Sequence, residues 1–162
     1  YCWFTWVMIA TGILPDLRPV CLLRGRLVRW CFRSCGKGLH LQSAVRMSYL
    51  ETVTLGRHVY LARGCILGGP EITLDDEVTV GPYVVFAPAN HTRQNGSYRF
   101  GPPDCRTIFV GRGSWIGAHT TVTAGARIGS GTIIGANSVV TKSIPDDVLA
   151  AGVPANIIRE IK

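Results

Sequence analysis

Residues 110–139 read VGRGSW IGAHTT VTAGAR IGSGTI IGANSV when written in sixes, and Val140 opens a further unit. The first position of every unit is Val or Ile, and Gly fills the second position in four of the five complete units. A period of six fits neither an α-helix nor an ordinary strand. It is typical of a β-helix, in which the chain turns a corner after every unit. The repeat therefore predicts a parallel β-helix whose aliphatic first positions stack along the axis, with three units in each coil.

The repeat extends less regularly into the preceding part of the chain. Leu41 and Met47 lie six residues apart, Leu55 follows after a two-residue slip, and one more residue is inserted before Leu74. We expect each slip to be a corner that absorbs the extra residues. Residues 88–107 contain no aliphatic side chain at the hexad spacing. They predict a polar loop that protrudes from the β-helix, and such a loop is where function is usually carried.

Composition and charge limit the classes of protein and of partner that the sequence allows. The 162 residues are 47 % hydrophobic and 17 % charged, with 19 Gly, which indicates one globular, corner-rich domain. The net charge is +7, and residues 1–50 carry +6 of it because Asp16 is their only acidic side chain. A nucleic-acid-binding domain would distribute its positive charge differently, so no nucleic-acid partner is expected.

Residues 1–35 form an apolar and basic segment ahead of the repeat. Residues 1–14 include Trp3 and Trp6 but are too short to span a bilayer, which takes about 20 apolar residues. From Pro19 onward, arginines alternate with apolar residues and predict an amphipathic helix. Two alternatives stay open: the helix packs on its own protein or a partner subunit, or it lies on an anionic membrane surface. Because the chain begins with Tyr1 rather than Met, we expect a piece to precede it.

The cysteine and histidine spacings favour no metal site. The six Cys residues form no C-x-x-C pair, so we expect buried, reduced thiols in a cytoplasmic protein. His58, His91 and His119 are 33 and 28 residues apart and include no close pair. We therefore expect no metal ligands.

Four motifs occur in order: Asn90-His91, SWIG at 114–117, IIGANSVVTKSIP at 133–145 and AAGVPANIIREI at 150–161. Together they resemble the hexapeptide-repeat acyltransferases. The resemblance is to the maltose- and galactoside-type sugar O-acetyltransferases and to the acetyltransferases of polysaccharide biosynthesis. It covers residues 36–162, with the active-site loop at 88–107 and a C-terminal tail at 146–162. It implies a left-handed parallel β-helix, acetyl-CoA as the acetyl donor, and a homotrimer with active sites between neighbouring subunits.

The resemblance also assigns site residues. His91 corresponds to a general base that activates an acceptor hydroxyl for direct attack, without an acyl-enzyme. The backbone N–H of Ala118 matches the donor to the developing oxyanion. Five further positions match contacts to coenzyme A: Ala136 at the pantetheine arm, Trp115 as a wall of the site, and Thr141, Lys142 and Arg159 near the nucleotide end. Ala118 is expected at the pantetheine arm as well. Asn156 departs from the family pattern, which has Lys or Arg there.

The acceptor is less well defined. Tyr83 and Asn90 are candidates for binding it, but residues 61–69 (LARGCILGG) lack the Asn and Asp that contact the sugar in the maltose and galactoside type. The predicted function is acetyl transfer to a hydroxyl of a sugar or polysaccharide precursor. The alternatives are a non-sugar acceptor (an amine, an amino acid or an antibiotic), a metal-dependent hexapeptide protein and a non-catalytic scaffold. The predicted location is cytoplasmic, with peripheral contact between residues 1–35 and the inner face of the membrane as an open alternative.

Overall fold

The computed structural model describes residues 2–161; Tyr1 and Lys162, the outer ends of the two predicted segments, lie outside this range. Two helices come first, α1 (Cys2–Thr11) and α2 (Arg18–Val28), and a 3-10 turn follows at Arg29–Cys31. The helix predicted from Pro19 is therefore confirmed, but its expected amphipathic pattern is not, because Arg24 is buried while Leu22 and Leu23 are exposed. Within residues 2–161, no helix has the length and apolar character needed to cross a bilayer.

Short parallel strands form the three faces of the β-helix. Face A contains β1 (Ser34–Cys35), β4 (Val53–Leu55), β7 (Ile72–Leu74), β12 (Ile108–Val110) and β15 (Arg127–Ile128). Face B contains β2 (His40–Leu41), β5 (Tyr60–Leu61), β8 (Thr79–Val80), β13 (Trp115–Ile116), β16 (Ile133–Ile134) and β18 (Val148–Ala151), and the antiparallel β19 (Asn156–Glu160) closes it. Face C contains β3 (Arg46–Ser48), β6 (Ile66–Gly68), β9 (Val85–Ala87), β14 (Thr121–Thr123) and β17 (Val139–Val140). Coil 1 begins at β1, and coils 2, 3, 4 and 5 begin at β4, β7, β12 and β15.

The core consists of three columns of stacked side chains, one behind each face. The face-B column runs Leu41, Leu61, Val80, Ile116, Ile134 and Ala150, all fully buried and in register. Each buried Leu, Ile or Val stabilises the fold by about 1.5–3 kcal/mol, and each one is covered only by the coils above and below it. The predicted parallel β-helix of hexapeptide repeats is confirmed.

Both sequence slips lie at the edge between faces C and A. The two extra residues of coil 1 form a 3-10 turn at Leu50–Thr52, entered through Tyr49 with a φ of 55°, and Leu50 is buried there. The single extra residue of coil 2 lies between Gly68 and Ile72, where Glu71 has a φ of 63°. Because the insertions are confined to this edge, the strands on faces A and B keep their register.

A buried arginine fastens the helices to coil 1. Arg24 is fully buried on α2, and its Nη1 donates to Asp16 Oδ1 at 2.6 Å. Its Nη2 donates to the carbonyl oxygens of Thr11 and Leu14 at the end of α1. Burial opposes the ionisation of Asp16, but hydrogen bonds from Ser43, Arg24 and Arg63 outweigh it and lower the pKa of this carboxyl to about 2. Asp16 therefore remains charged and ties the helices to the β-helix.

A glycine allows α2 to approach coil 1 closely. Gly25 lies in the middle of the helix, where Gly normally costs stability relative to Ala. A Cβ at this position would overlap the carbonyl oxygen of Leu39 just before β2. The glycine therefore sets how closely the helix packs on coil 1.

The cysteines are not all buried. Cys21 and Cys65 are buried, and burial raises the pKa of the Cys65 thiol to about 11. Cys2 and Cys105 are exposed, so the prediction of buried thiols is wrong for these two. Cys2 lies on the outward side of α1, and Cys105 lies on a strand that stands away from the β-helix.

Candidate active site

The polar segment at 88–107 is a β-hairpin that leaves the β-helix where faces C and A meet. Its strand β10 (Ala89–His91) pairs antiparallel with β11 (Pro103–Cys105), which sets His91 opposite Pro103. At the tip, Asn95 and Gly96 have φ values of 49° and 83°, as a type I′ turn requires. The Asn-Gly dipeptide is a hairpin signal that the prediction of a polar loop missed.

The base of the hairpin is held firmly, and His91 lies close to it. The backbone N–H of Arg106 donates to Pro88 O at 2.8 Å, and the Arg106 side chain pairs with Asp104 at 2.8 Å. His91 is exposed, and within residues 2–161 its imidazole has no hydrogen-bond partner. Asn90 is also exposed and pairs across the hairpin with Asp104. The imidazole is therefore free to contact a bound molecule.

The edge between faces B and C, called the B–C edge below, presents one equivalent backbone position per coil. This position lies two residues after the inward residue of face B. From coil 1 to coil 5 it is occupied by Ser43, Arg63, Pro82, Ala118 and Ala136.

Side chains cap this position in the first two coils and leave it open in the last two. The N–H of Ser43 donates to Asp16 Oδ1 and that of Arg63 to Gln42 Oε1, each at 2.8 Å. Pro82 has no N–H. Within the described part of the chain, the N–H groups of Ala118 and Ala136 donate to no protein acceptor. These two outward N–H groups, one coil apart and beside small side chains, can donate to a ligand that runs along the edge.

Tyr83 lies on the same edge as the two alanines. Its ring stacks on that of His119 with the centroids 5.2 Å apart, and the N–H of His119 donates to Pro82 O. Both residues have left-handed backbone conformations, with φ of 57°. The structure thus places Tyr83, a candidate for binding the acceptor molecule, next to Ala118.

Trp115 and Arg159 share a row on the outer surface of face B. Trp115 pairs with Ile133, Ile133 with Leu149, and Leu149 with Arg159. The Trp115 side chain is 52 % exposed, so it forms an apolar wall beside the B–C edge. Arg159 is exposed at the far end of the row, where the guanidinium group can approach an anion.

Thr141 and Lys142 follow β17, and so they lie where face C turns toward face A. Lys142 Nζ donates to Asn156 Oδ1 at 3.2 Å. Within residues 2–161, no carboxylate pairs with this ammonium group. The neutral Asn156 thus orients Lys142 without neutralising its positive charge, which remains available to a phosphate.

The predicted site residues form two groups on opposite edges of face C. Tyr83, Ala118 and Ala136 lie on the B–C edge, with Trp115 and Arg159 on the neighbouring face B. Asn90, His91, Thr141 and the backbone of Lys142 lie on the edge between faces C and A, while the Lys142 ammonium group reaches Asn156 at the start of β19. One side of a coil is about 15–20 Å long, so a single chain does not bring His91 to Ala118. Among the described residues, no three His, Cys, Asp or Glu side chains form a potential metal site.

A family model and two named relatives match this chain in sequence. The family model for bacterial transferase hexapeptides (six repeats) matches residues 107–142. The galactoside O-acetyltransferase of Escherichia coli K12 is 33 % identical over 139 residues, which cover 85 % of this chain and 68 % of that protein. WbbJ of the same organism, provisionally named a lipopolysaccharide biosynthesis O-acetyltransferase, is 31 % identical over 140 residues, covering 77 % and 67 %.

A solved structure has the same fold over nearly the whole chain. The hexapeptide-repeat acetyltransferase of Vibrio cholerae O1 biovar eltor, crystallised with acetyl coenzyme A, superimposes with a TM-score of 0.85. The match covers 99 % of this chain and 86 % of that protein, at 26 % identity.

Proposed function

This chain belongs to the hexapeptide-repeat acetyltransferases and uses acetyl-CoA, and we propose that it transfers the acetyl group to a hydroxyl of a sugar or polysaccharide precursor. Sugar specificity is suggested by the names of two relatives, a galactoside O-acetyltransferase and an O-acetyltransferase associated with lipopolysaccharide biosynthesis. The cytoplasmic location predicted from the sequence remains a prediction.

One observation carries the proposal: the B–C edge presents two unpaired N–H donors in coils 4 and 5 and in no earlier coil of the described chain. The residues fit coenzyme A in three respects. Ala118 and Ala136 offer donors to the amide-containing arm, Trp115 offers an apolar wall, and Lys142 and Arg159 offer uncompensated charge to phosphates. We propose that Thr141 contributes a hydroxyl beside Lys142.

The chemistry requires a base and an oxyanion donor. Acetyl-CoA supplies an acetyl group activated as a thioester. His91 accepts the proton of the acceptor hydroxyl as the new oxygen–carbon bond forms, and it returns that proton to the departing sulfur. The Ala118 N–H stabilises the negative charge that develops on the carbonyl oxygen. We place Tyr83 and Asn90 at the acceptor, because each lies beside one of the two reacting groups.

The separation of the two groups supports a homotrimer. His91 and Ala118 lie on opposite edges of face C, so they can meet only across a contact between copies of the chain. In a cyclic trimer, one edge of each subunit faces the other edge of its neighbour. We propose that each active site takes His91 from one subunit and Ala118 from the next.

The function is tested by measuring free thiol release from acetyl-CoA against a panel of sugars, nucleotide-sugars and amines. We expect release to require a sugar and to fall by about 10²- to 10⁴-fold in His91→Ala. Strict preference for an amine would contradict the sugar proposal. Unchanged turnover in His91→Ala would contradict the assigned base.

The shared site is tested by mixing two inactive subunits. In trimers assembled from equal amounts of His91→Ala and Ala118→Pro chains, some interfaces take His91 from an Ala118→Pro chain and Ala118 from a His91→Ala chain, and these interfaces hold a complete site. Random assembly restores roughly a quarter of the wild-type activity. If each chain held a complete site, mixing would restore none.

A further inference from the structure

The N-terminal helices expose positive charge and no unpaired negative charge. Asp16 is the only acidic residue in 1–50, and it is held by Arg24 and Arg63 with its side chain only 13 % exposed. Arg18, Arg26 and Lys37 are exposed around it without a carboxylate partner within residues 2–161. Apart from the paired Asp16, the charged side chains of residues 2–50 are therefore all basic, and they lie outside α1.

Helix α1 is apolar on its outward side as well as its inward side. Phe4 and Val7 are buried against the protein. Cys2, Trp6, Ile9 and, one turn beyond the helix, Ile13 recur at spacings of three and four residues on the opposite side, and all are exposed. No residue of α1 is charged. A surface helix normally faces water with polar residues, so this outward stripe is suited to a nonaqueous neighbour.

Aromatic contacts join this stripe to the basic surface of α2. Trp6 stacks on Trp3 with the centroids 5.4 Å apart, and Trp3 Nε1 donates to Leu27 O near the end of α2. One turn farther along, Trp30 is 82 % exposed and lies beneath the Arg29 guanidinium group.

A basic cleft lies next to Arg29. It has a volume of about 340 Å³ between α2 and coil 1, and its lining includes Arg26, Arg29 and Lys37. Three cations around one concave space, without an acidic side chain in the lining, fit a phosphate group.

We propose that this surface, formed by α1, α2 and the cleft, docks the protein on an anionic phospholipid bilayer. Trp3, Trp6 and Trp30 enter the interface, where indole rings are favoured, and the cleft receives lipid phosphates. Interfacial helices combine these same features, an apolar face with Trp beside Lys and Arg. Charge complementarity favours lipid over a second copy of the chain, because a symmetric contact through this surface would bring two basic surfaces together.

The test is flotation of the whole protein with vesicles. We expect binding to vesicles of phosphatidylcholine with phosphatidylglycerol, weakening as salt is raised, and little binding to phosphatidylcholine alone. The Arg26→Gln/Arg29→Gln/Lys37→Gln variant should bind about 100-fold more weakly, since each surface cation contributes about fivefold. Trp6→Ser/Trp30→Ser should also lose binding.

Two matched variants separate this surface from general effects. Arg57→Gln/Arg112→Gln/Arg127→Gln removes three cations from other faces, and Tyr98→Ser/Phe100→Ser removes two exposed aromatic rings from the hairpin; both should bind like wild type. Thermal unfolding midpoints show that each variant is folded. Equal binding to neutral vesicles, or unchanged binding by the Trp6/Trp30 variant, overturns the proposal. The proposal is also overturned if the wild-type protein forms assemblies larger than a trimer and the Trp6→Ser/Trp30→Ser variant does not, because the surface would then bind a second copy.

Discussion

The two halves of the B–C edge have equivalent backbone positions but differ in whether the N–H groups there are paired. In coils 1 and 2, the outward N–H groups of Ser43 and Arg63 are closed by Asp16 and Gln42. In coils 4 and 5, the equivalent N–H groups of Ala118 and Ala136 have no acceptor within residues 2–161. Where a side chain caps the donor, the edge stabilises the fold; where alanine stands, the donor is unpaired within residues 2–161, and we propose that it serves a ligand.

The comparison shows how a repeat can carry a site without a special backbone. A solenoid repeats the same corner position in every coil, so a backbone N–H recurs there wherever the residue is not proline. Only the side chains around it decide whether that donor is structural or functional. We call coils 1 and 2 of the B–C edge the capped half and coils 4 and 5 the open half.

The largest effect is expected from Arg24→Met in the capped half. The variant leaves the Thr11 and Leu14 carbonyl oxygens unpaired and removes a buried partner of Asp16, so the free energy of unfolding should fall by about 3–5 kcal/mol. Urea denaturation at one protein concentration measures it. Arg33→Met is the control, since its pair with Glu71 is exposed on both sides and should contribute less than about 1 kcal/mol. Equal losses in the two variants would show that Arg24 is not the fastening point.

The next effect concerns the open half. Ala118→Pro deletes the unpaired N–H without breaking a protein hydrogen bond, and Pro82 already occupies the equivalent position in coil 3. The value of kcat should fall by about 10²- to 10³-fold, with little change in the thermal unfolding midpoint. Arg112→Pro makes the same change on the edge between faces A and B and should keep its activity. If the Ala118→Pro enzyme were fully active, the Ala118 N–H would have no role in the mechanism.

The smallest effect is expected in the pH dependence of the free energy of unfolding, through Asp16 in the capped half. The pKa of Asp16 is about 2 in the folded protein, against an ordinary value of 3.8. Because the pKa of Asp16 is lower in the folded protein than in the unfolded chain, the ionised carboxylate adds to the free energy of unfolding. This contribution is complete above the ordinary pKa and is lost as pH falls toward 2. The difference in unfolding free energy between wild type and Asp16→Asn should shrink by about 2 kcal/mol over this range. A difference independent of pH would mean that Asp16 does not titrate as described.

Parts of the fold and of the candidate site differ in how far the sequence alone predicted them. The hexads locate the strands, and the slips before Leu55 and Leu74 locate the corner insertions. The roles of Ala118 and Ala136 came only from family resemblance, because nothing in an alanine side chain signals a functional backbone. The hairpin at 88–107 was missed as paired structure despite Asn95-Gly96, since the flanking residues lack the apolar alternation of ordinary strands.

The sequence by itself determined the β-helix, because an aliphatic residue at every sixth position has one arrangement that buries all of them. It also determined the uneven charge and the motifs that identify the family. Only the tertiary structure decided that Asp16 spans 27 residues to cap Ser43, and that Lys142 meets Asn156. It alone showed that His91 and Ala118 lie on opposite edges of one face. Such placements depend on how coils stack and helices dock, and these contacts join residues whose separation in the chain follows no period.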